Sequence, residues 1–381
     1  MRLNRNITAL PESETLSLNT LAKELAAKGR KIFNLTAGEL DFPTPAVLRR
    51  EASRHLFENK YTPVLGSTAL RRAMALRVVK AYGLKSISEA NIAVTAGAKQ
   101  ALAEVLQVIL NRGDEVVIPI PAWVSYEQQV KLAGGRPVFV PLSANFDLDA
   151  ESIKSALTAK TKAIILNSPH NPTGKIFSET SIRRVSKLLS GRRIHVVADT
   201  IYRSLSYIKN PPCLTRYFWE NLILVDGFSK SHALTGWRIG YVAAASNIID
   251  ALGRLQGHTS GNVSVLSQAA GLAAAVSPQV TAGFVGVLKR RRELVARQLA
   301  RIPQIRFALP DGALYFFLDI SKITRDSGQF CRELLKIAGV ALVPGEAFYA
   351  PGFVRLSFAA PDGVLKAGLR RLEKFVKLRS A

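Results

Sequence analysis

A chain of 381 residues, 48% hydrophobic and 21% charged, has a globular balance with ample core and exceeds one average domain, so one large or two unequal domains are expected. Its 52 basic against 28 acidic residues leave a net charge of +24, which is open to a nucleic-acid partner, a membrane surface, acidic substrates or a basic proteome. Two cysteines, Cys213 and Cys331, exclude a disulfide framework; with no signal-peptide core and no apolar run near the roughly 18 residues that span a bilayer, a soluble cytoplasmic protein is expected.

In chain order, a helix is predicted near Ser17–Gly29. From about Ser88 to Ser246 short apolar strands then alternate with helical segments. The predicted strands are NIAVTAG, DEVVIPIP, RPVFVPL, TKAIILNSP, RRIHVVADT, NLILVDGFS and RIGYVAAAS. They are near-continuous Val/Ile/Leu runs rather than alternating ones, which implies burial on both faces of a mostly parallel, helix-covered sheet. The fold class is therefore α/β. The last third reads as a smaller α+β unit: a long basic helix near Gln279–Ile302, strand ALYFFLDI, helix FCRELLKIAG, a short strand at VALVPG, strand FVRLSFAA and a final helix from Pro361. The basic runs LKRRRE (Leu288–Glu293) and GLRRLEKFVKLR (Gly368–Arg379) read as solvated helix faces.

Ligands of open α/β sheets bind at the carboxyl ends of the strands. NIAVT ends in AGAKQA, a small-residue turn that opens a helix; it suits an anion such as phosphate, or is simply a tight turn. AIILNSP ends in HNPTG, IHVVA in Asp199 followed by Tyr202, and LILVD in GFSK, which carries Lys230 with Arg238 beyond it. Asn171, Asp199, Tyr202, Lys230, Arg238 and the AGAK turn thus converge on one edge. An amine beside a carboxylate, a phenol and a phosphate cradle suits a Schiff base to a phosphate-bearing aldehyde, pyridoxal 5'-phosphate. GxGxxG, Walker-A and HExxH patterns are absent, and the five histidines lack metal-ligand spacing, so each is read as structural.

The motifs LTAGELDFPTP, KYTPVLG, TAGAKQAL, PAWVSYEQ, NSPHNPTG, ADTIY, GFSKSHALTGWRIGY and VRLSFA, in this order over nearly the whole chain, resemble the class I aminotransferases of the pyridoxal-phosphate fold type I, in their bacterial aspartate aminotransferase-like branch. That resemblance implies a large cofactor-binding domain over residues 40–285 and a small domain formed by 1–39 with 286–381. It implies a homodimer with shared sites, acting on amino acids and 2-oxo acids.

Position by position, it implies that Lys230 forms the internal aldimine and shuttles the substrate Cα proton. Asp199 would pair with the ring nitrogen, Asn171 and Tyr202 would bond the phenolate oxygen, and Trp123 would stack on the ring. Gly97, Ala98 and Lys99 would form the phosphate loop, with Arg238 as its charged partner and Tyr61 reaching the neighbouring subunit's phosphate. Arg355 would clamp the substrate α-carboxylate, Lys99 would grip a distal carboxylate, and Gly38 would lie in the loop closing over the substrate. Aspartate and glutamate are the favoured donors, in ping-pong transfer. Departures from the branch pattern are Thr200, His170, Leu40 and a short run between VPG and VRLSF; they leave the side-chain preference open. The alternatives are another carbanion reaction on the same scaffold (lyase, cyclase or decarboxylase), or a non-catalytic nucleic-acid-binding protein suggested by the charge.

Overall fold

The computed structural model describes residues 3, 5–8, 10, 14–83 and 87–380, so parts of the expected 1–39 segment lie outside the described residues. All seven predicted strands form one sheet: β1 (Ile92–Thr95), β2 (Glu115–Ile120), β3 (Arg136–Pro141), β4 (Thr161–Asn167), β5 (His195–Asp199), β6 (Leu222–Gly227) and β7 (Gly240–Ala243). Their spatial order is β1-β7-β6-β5-β4-β2-β3, and only β7 runs against its neighbours. Both faces of the inner strands are buried, as the apolar runs require, but the edge strand β3 departs from the expectation: of its residues only Val140 is buried, because among the described residues nothing pairs on its outer side. Val94, Ile164, Val196 and Leu224 pack into one core, while Ala93, Ile165, Val197 and Ile223, one residue out of phase, pack into another.

A second sheet of four strands contains Arg306–Phe307, Tyr315–Asp319, Val343–Pro344 and Phe353–Ser357. Its core joins Leu18 and Phe33 from the chain start to Leu299, Phe330 and Phe375 from its end. The predicted single strand at VALVPG is two: Val340–Ala341 pairs with Phe33–Asn34, and Val343–Pro344 joins the second sheet. The helix expected near Ser17–Gly29 spans Glu14–Ala27, after a single turn at Arg5–Thr8, and the long basic helix spans Pro278–Leu299.

The reading of LKRRRE as a solvated face is corrected. Arg291 and Arg292 are buried. Arg291 makes a two-pronged contact with Asp41 (Nη1–Oδ1 2.7 Å, Nη2–Oδ2 2.9 Å), reaches Asp362 through Nε, and lies over the Phe42 ring. Arg292 donates to the Pro310 carbonyl and stacks on Tyr207. A buried guanidinium stripped of its carboxylate keeps its desolvation cost without its partner. Asp41→Asn is therefore expected to lower unfolding free energy by about 2–3 kcal/mol, since Asp362 compensates in part. The check is the denaturant midpoint at unchanged slope.

Candidate active site

Because β4, β5 and β6 run parallel, Asn167, Asp199 and Gly227 end at one edge of the sheet. The reversed β7 starts at that same edge, Gly240 lying opposite both Gly227 and Thr95. This register brings the Lys230 turn, Arg238 and the β1 turn together. Contact there is close enough to demand glycine. A Cβ on Gly240 would meet the Ala98 nitrogen at 2.6 Å, and Gly97, at φ +85°, would drive one into the Arg238 guanidinium at the same distance.

A cavity of about 260 Å³ opens at this edge, lined by Gly38, Ala98, Lys99, Trp123, Asn171, Asp199, Tyr202, Lys230, Arg238 and Arg355 among others. Of the expected site residues only Gly97 and Tyr61 are not in its wall. Gly97 lies directly behind it, under Arg238 and at the N-terminus of the Ala98–Ile109 helix. Tyr61 is 97% exposed and elsewhere on the surface.

Asp199 is buried and accepts from Tyr126 Oη at 2.6 Å and from the Ile201 N–H at 3.1 Å. Burial outweighs these bonds and raises its carboxyl to about 6. Lys230 donates to the Gly38 carbonyl at 2.5 Å. Desolvation lowers its ammonium to about 8, with Arg238 and Arg355 adding to the lowering and Glu39 and Asp199 opposing it. Burial also lowers Lys99, whose ammonium stands 5.4 Å from the Trp123 ring. Tyr202 shares a hydrogen bond of 2.7 Å with Tyr315.

Arg355 is carried by the Phe353–Ser357 strand and is 3% exposed. It donates to Asn171 Oδ1 and to the Thr36 carbonyl, both at 2.9 Å, and lies 4.2 Å from the Tyr315 ring. Its Nε is buried without a partner. Arg238 donates to the carbonyls of Thr235 and Ala96. His170 is buried against Phe177, with Nδ1 at 2.8 Å from Thr173, and burial lowers it to about 3. The described residues hold no His/Cys/Asp/Glu cluster suited to a metal.

Sequence reasoning missed several wall residues: Tyr126, Asn167, Ser229, Thr235 and Tyr315. Two left a signal. Asn167 is the last residue of its strand, and Tyr126 follows Trp123 by one helical turn. Tyr315 left none, because a tyrosine in an apolar strand reads as core.

An amine of lowered pKa, a buried carboxylate and a buried arginine whose Nε lacks a partner, sharing one cavity at the strand ends, define an enzyme site for amino-group chemistry on carboxylate compounds. Comparison with known proteins narrows the class. The sequence profile of aminotransferase class I and II matches residues 30–372, and the chain belongs to that family. It is 38% identical to the aspartate aminotransferase of Thermotoga maritima, covering 99% of this chain and 100% of that one. It is 36% identical to a probable aspartate/prephenate aminotransferase of Aquifex aeolicus, over 98% of both chains. Among solved structures, the aspartate aminotransferase of Thermus thermophilus with maleate superposes at a TM-score of 0.94 and 36% identity, covering 98% of this chain and 100% of that one. The chain is an aminotransferase that moves an amino group from an amino acid to a 2-oxo acid, in ping-pong half-reactions.

Proposed function

We propose that the cavity holds pyridoxal 5'-phosphate and that aspartate and glutamate are the preferred amino donors. The observation that carries this reading is Lys230 and Asp199 in one cavity: a readily deprotonated amine and a buried carboxylate that forms no close ion pair among the described residues. A protonated ring nitrogen would stabilise that carboxylate, and the Gly97 turn, the following helix N-terminus and Arg238 suit a phosphate. The unpartnered Nε of Arg355 suits a carboxylate oxygen.

When bound, the cofactor supplies an aldehyde carbon that amines attack and an electron-poor ring that spreads the electron pair left by a departing proton. Lys230 Nζ, neutral, would take the proton from the substrate Cα and deliver it to the carbon that the cofactor's aldehyde contributes, two bonds away across the shared nitrogen. Asp199, ionised and held by Tyr126, would pair with the ring nitrogen; Asn171 and Tyr202 would bond the ring oxygen, and Trp123 would stack on the ring. Arg355 and Lys99 hold the substrate's α- and distal carboxylates, while Gly38 closes the site above Lys230.

Tyr61 is proposed to reach the cavity of a second copy of the chain. Its exposure alongside Phe57 (96%) and Leu56 (62%) supports a homodimer with shared sites. We further propose the division into a large unit, 40–285, and a small one, 1–39 with 286–381; the shared core of the two chain ends supports it, and the boundary falls inside the Pro278–Leu299 helix. A cytoplasmic setting is consistent with two free, buried cysteines, and among the described residues no single helix is long and apolar enough to cross a membrane.

The test is a single half-reaction. Aspartate or glutamate, added without an oxo acid to protein loaded with pyridoxal phosphate, should bleach its visible band and release one equivalent of oxo acid. Release of carbon dioxide or ammonia instead would point to a decarboxylase or lyase, and no response to either amino acid would falsify the substrate assignment. A second expectation concerns pH. In cofactor-free protein the neutral Lys230 amine is the nucleophile, so its capture of pyridoxal phosphate should rise with pH up to about 8 and level off above it. Stopped-flow absorbance across pH 6–10 measures this; a midpoint above about 10, the ordinary lysine value, would refute the lowered pKa.

A further inference from the structure

The segment after the Val343–Pro344 strand forms a short turn of helix, Gly345–Phe348, and then Tyr349 in the left-handed region at φ 63°. A bulky residue adopts this conformation only when its surroundings hold it there. Two of its contacts lie on the large sheet's edge strand and on the helix that leads into it. The Tyr349 hydroxyl donates to Glu127 Oε2 on the Ser125–Leu132 helix, and its ring lies 4.5 Å from Phe139 on β3. One residue earlier, the Phe348 carbonyl accepts from the Ala122 N–H at 3.1 Å, next to Trp123 in the cavity wall.

These contacts have a consequence inside the site. Phe348 is buried, and its ring lies 5.0 Å from the Arg355 guanidinium, which also stands over Tyr315. Arg355 is therefore flanked by two aromatic rings, one of them placed by the turn that Tyr349 anchors. An arginine so confined is held in one orientation and loses little freedom when it binds a carboxylate.

We propose that Tyr349, held by Glu127, is a positioning residue for carboxylate recognition: it seats Phe348 against Arg355 and so sets substrate affinity. This rests on the reading of Arg355 as the α-carboxylate clamp. Tyr349→Phe keeps the ring and removes only the donor; Glu127→Ala removes the acceptor; Glu127→Gln retains one.

The holoenzyme variants are compared by steady-state kinetics and by the Kd of maleate, a dicarboxylate that cannot react. Tyr349→Phe and Glu127→Ala should each raise KM and the maleate Kd by about three- to tenfold, the range for one lost ordering hydrogen bond, with kcat within about twofold. The double variant should be no worse than the worse single one, and Glu127→Gln should stay near wild type. Lowered thermal stability with unchanged KM and Kd would overturn the proposal, as would additive losses in the double variant. Arg355→Lys in the same series separates the two readings. If it leaves KM unchanged, the clamp assignment fails; if it raises KM while Tyr349→Phe does not, only the positioning role fails.

Discussion

Lys230→Ala should reduce amino transfer by about four orders of magnitude or more, while the protein keeps its fold and still takes up pyridoxal phosphate. The size follows from two roles lost together. Positioned proton transfer alone contributes about 10²–10⁴-fold, and the covalent attachment of the amine is lost with it. The fold should survive because, among the described residues, the side chain makes a single hydrogen bond, to the Gly38 carbonyl, and its removal relieves a cation held in a desolvating cavity. Lys230→Arg separates charge from chemistry: a guanidinium cannot deprotonate, so it should be as inactive as alanine. Borohydride reduction followed by peptide mass analysis gives a readout independent of turnover; the cofactor should be fixed to wild type and not to either variant. Small primary amines in the buffer should restore part of the activity of Lys230→Ala but not of Lys230→Arg, where the cavity is filled. Retention of more than about a tenth of the activity by Lys230→Ala would remove this lysine from the chemistry.

The sequence was most readable where one local rule decided the structure. Each strand of the large sheet is an apolar run of its own, and parallel topology carries its last residues to one rim, so Asp199, Asn171 and Lys230 could be gathered without knowing any side-chain contact. It was least readable where a partner lies far along the chain. Arg291 sits in a basic run and reads as solvated, yet its carboxylate Asp41 is 250 residues away. VALVPG reads as one strand, but Leu342 lies between two short segments that pair in different sheets. Thr200, a departure from the branch pattern, has a local account only in three dimensions: its hydroxyl lies 2.8 Å from Tyr82 Oη, which donates to the buried Asp226. Tyr315 enters the wall from the second sheet, and no local pattern could distinguish it from core.

Arg355→Lys tests the other end of the substrate, and kcat/KM for aspartate should fall by about two to three orders of magnitude. The substitution keeps the positive charge, so any loss measures geometry. Arginine here divides its donors: Nη1 goes to Asn171 Oδ1, Nη2 to the Thr36 carbonyl, and Nε remains for a ligand. Lysine has three donors at one point on a narrower stem and cannot serve all of these directions, nor lie flat against Tyr315 and Phe348. Removing one partner from a buried, charge-assisted contact costs about 2–5 kcal/mol, or about 1.5–3.7 orders of magnitude at tenfold per 1.36 kcal/mol, and the predicted loss is the middle of that range. If the clamp acts equally before and during proton removal, the loss falls mainly on KM; a fall in kcat would mean that Arg355 also orients the Cα–H bond. An amine without a carboxylate provides the control. Being a poor substrate, it gains nothing from the clamp, and wild type and variant should process it at equal rates. Equal losses for aspartate and for that amine would show that the substitution damages the cavity as a whole and would withdraw Arg355 from carboxylate recognition.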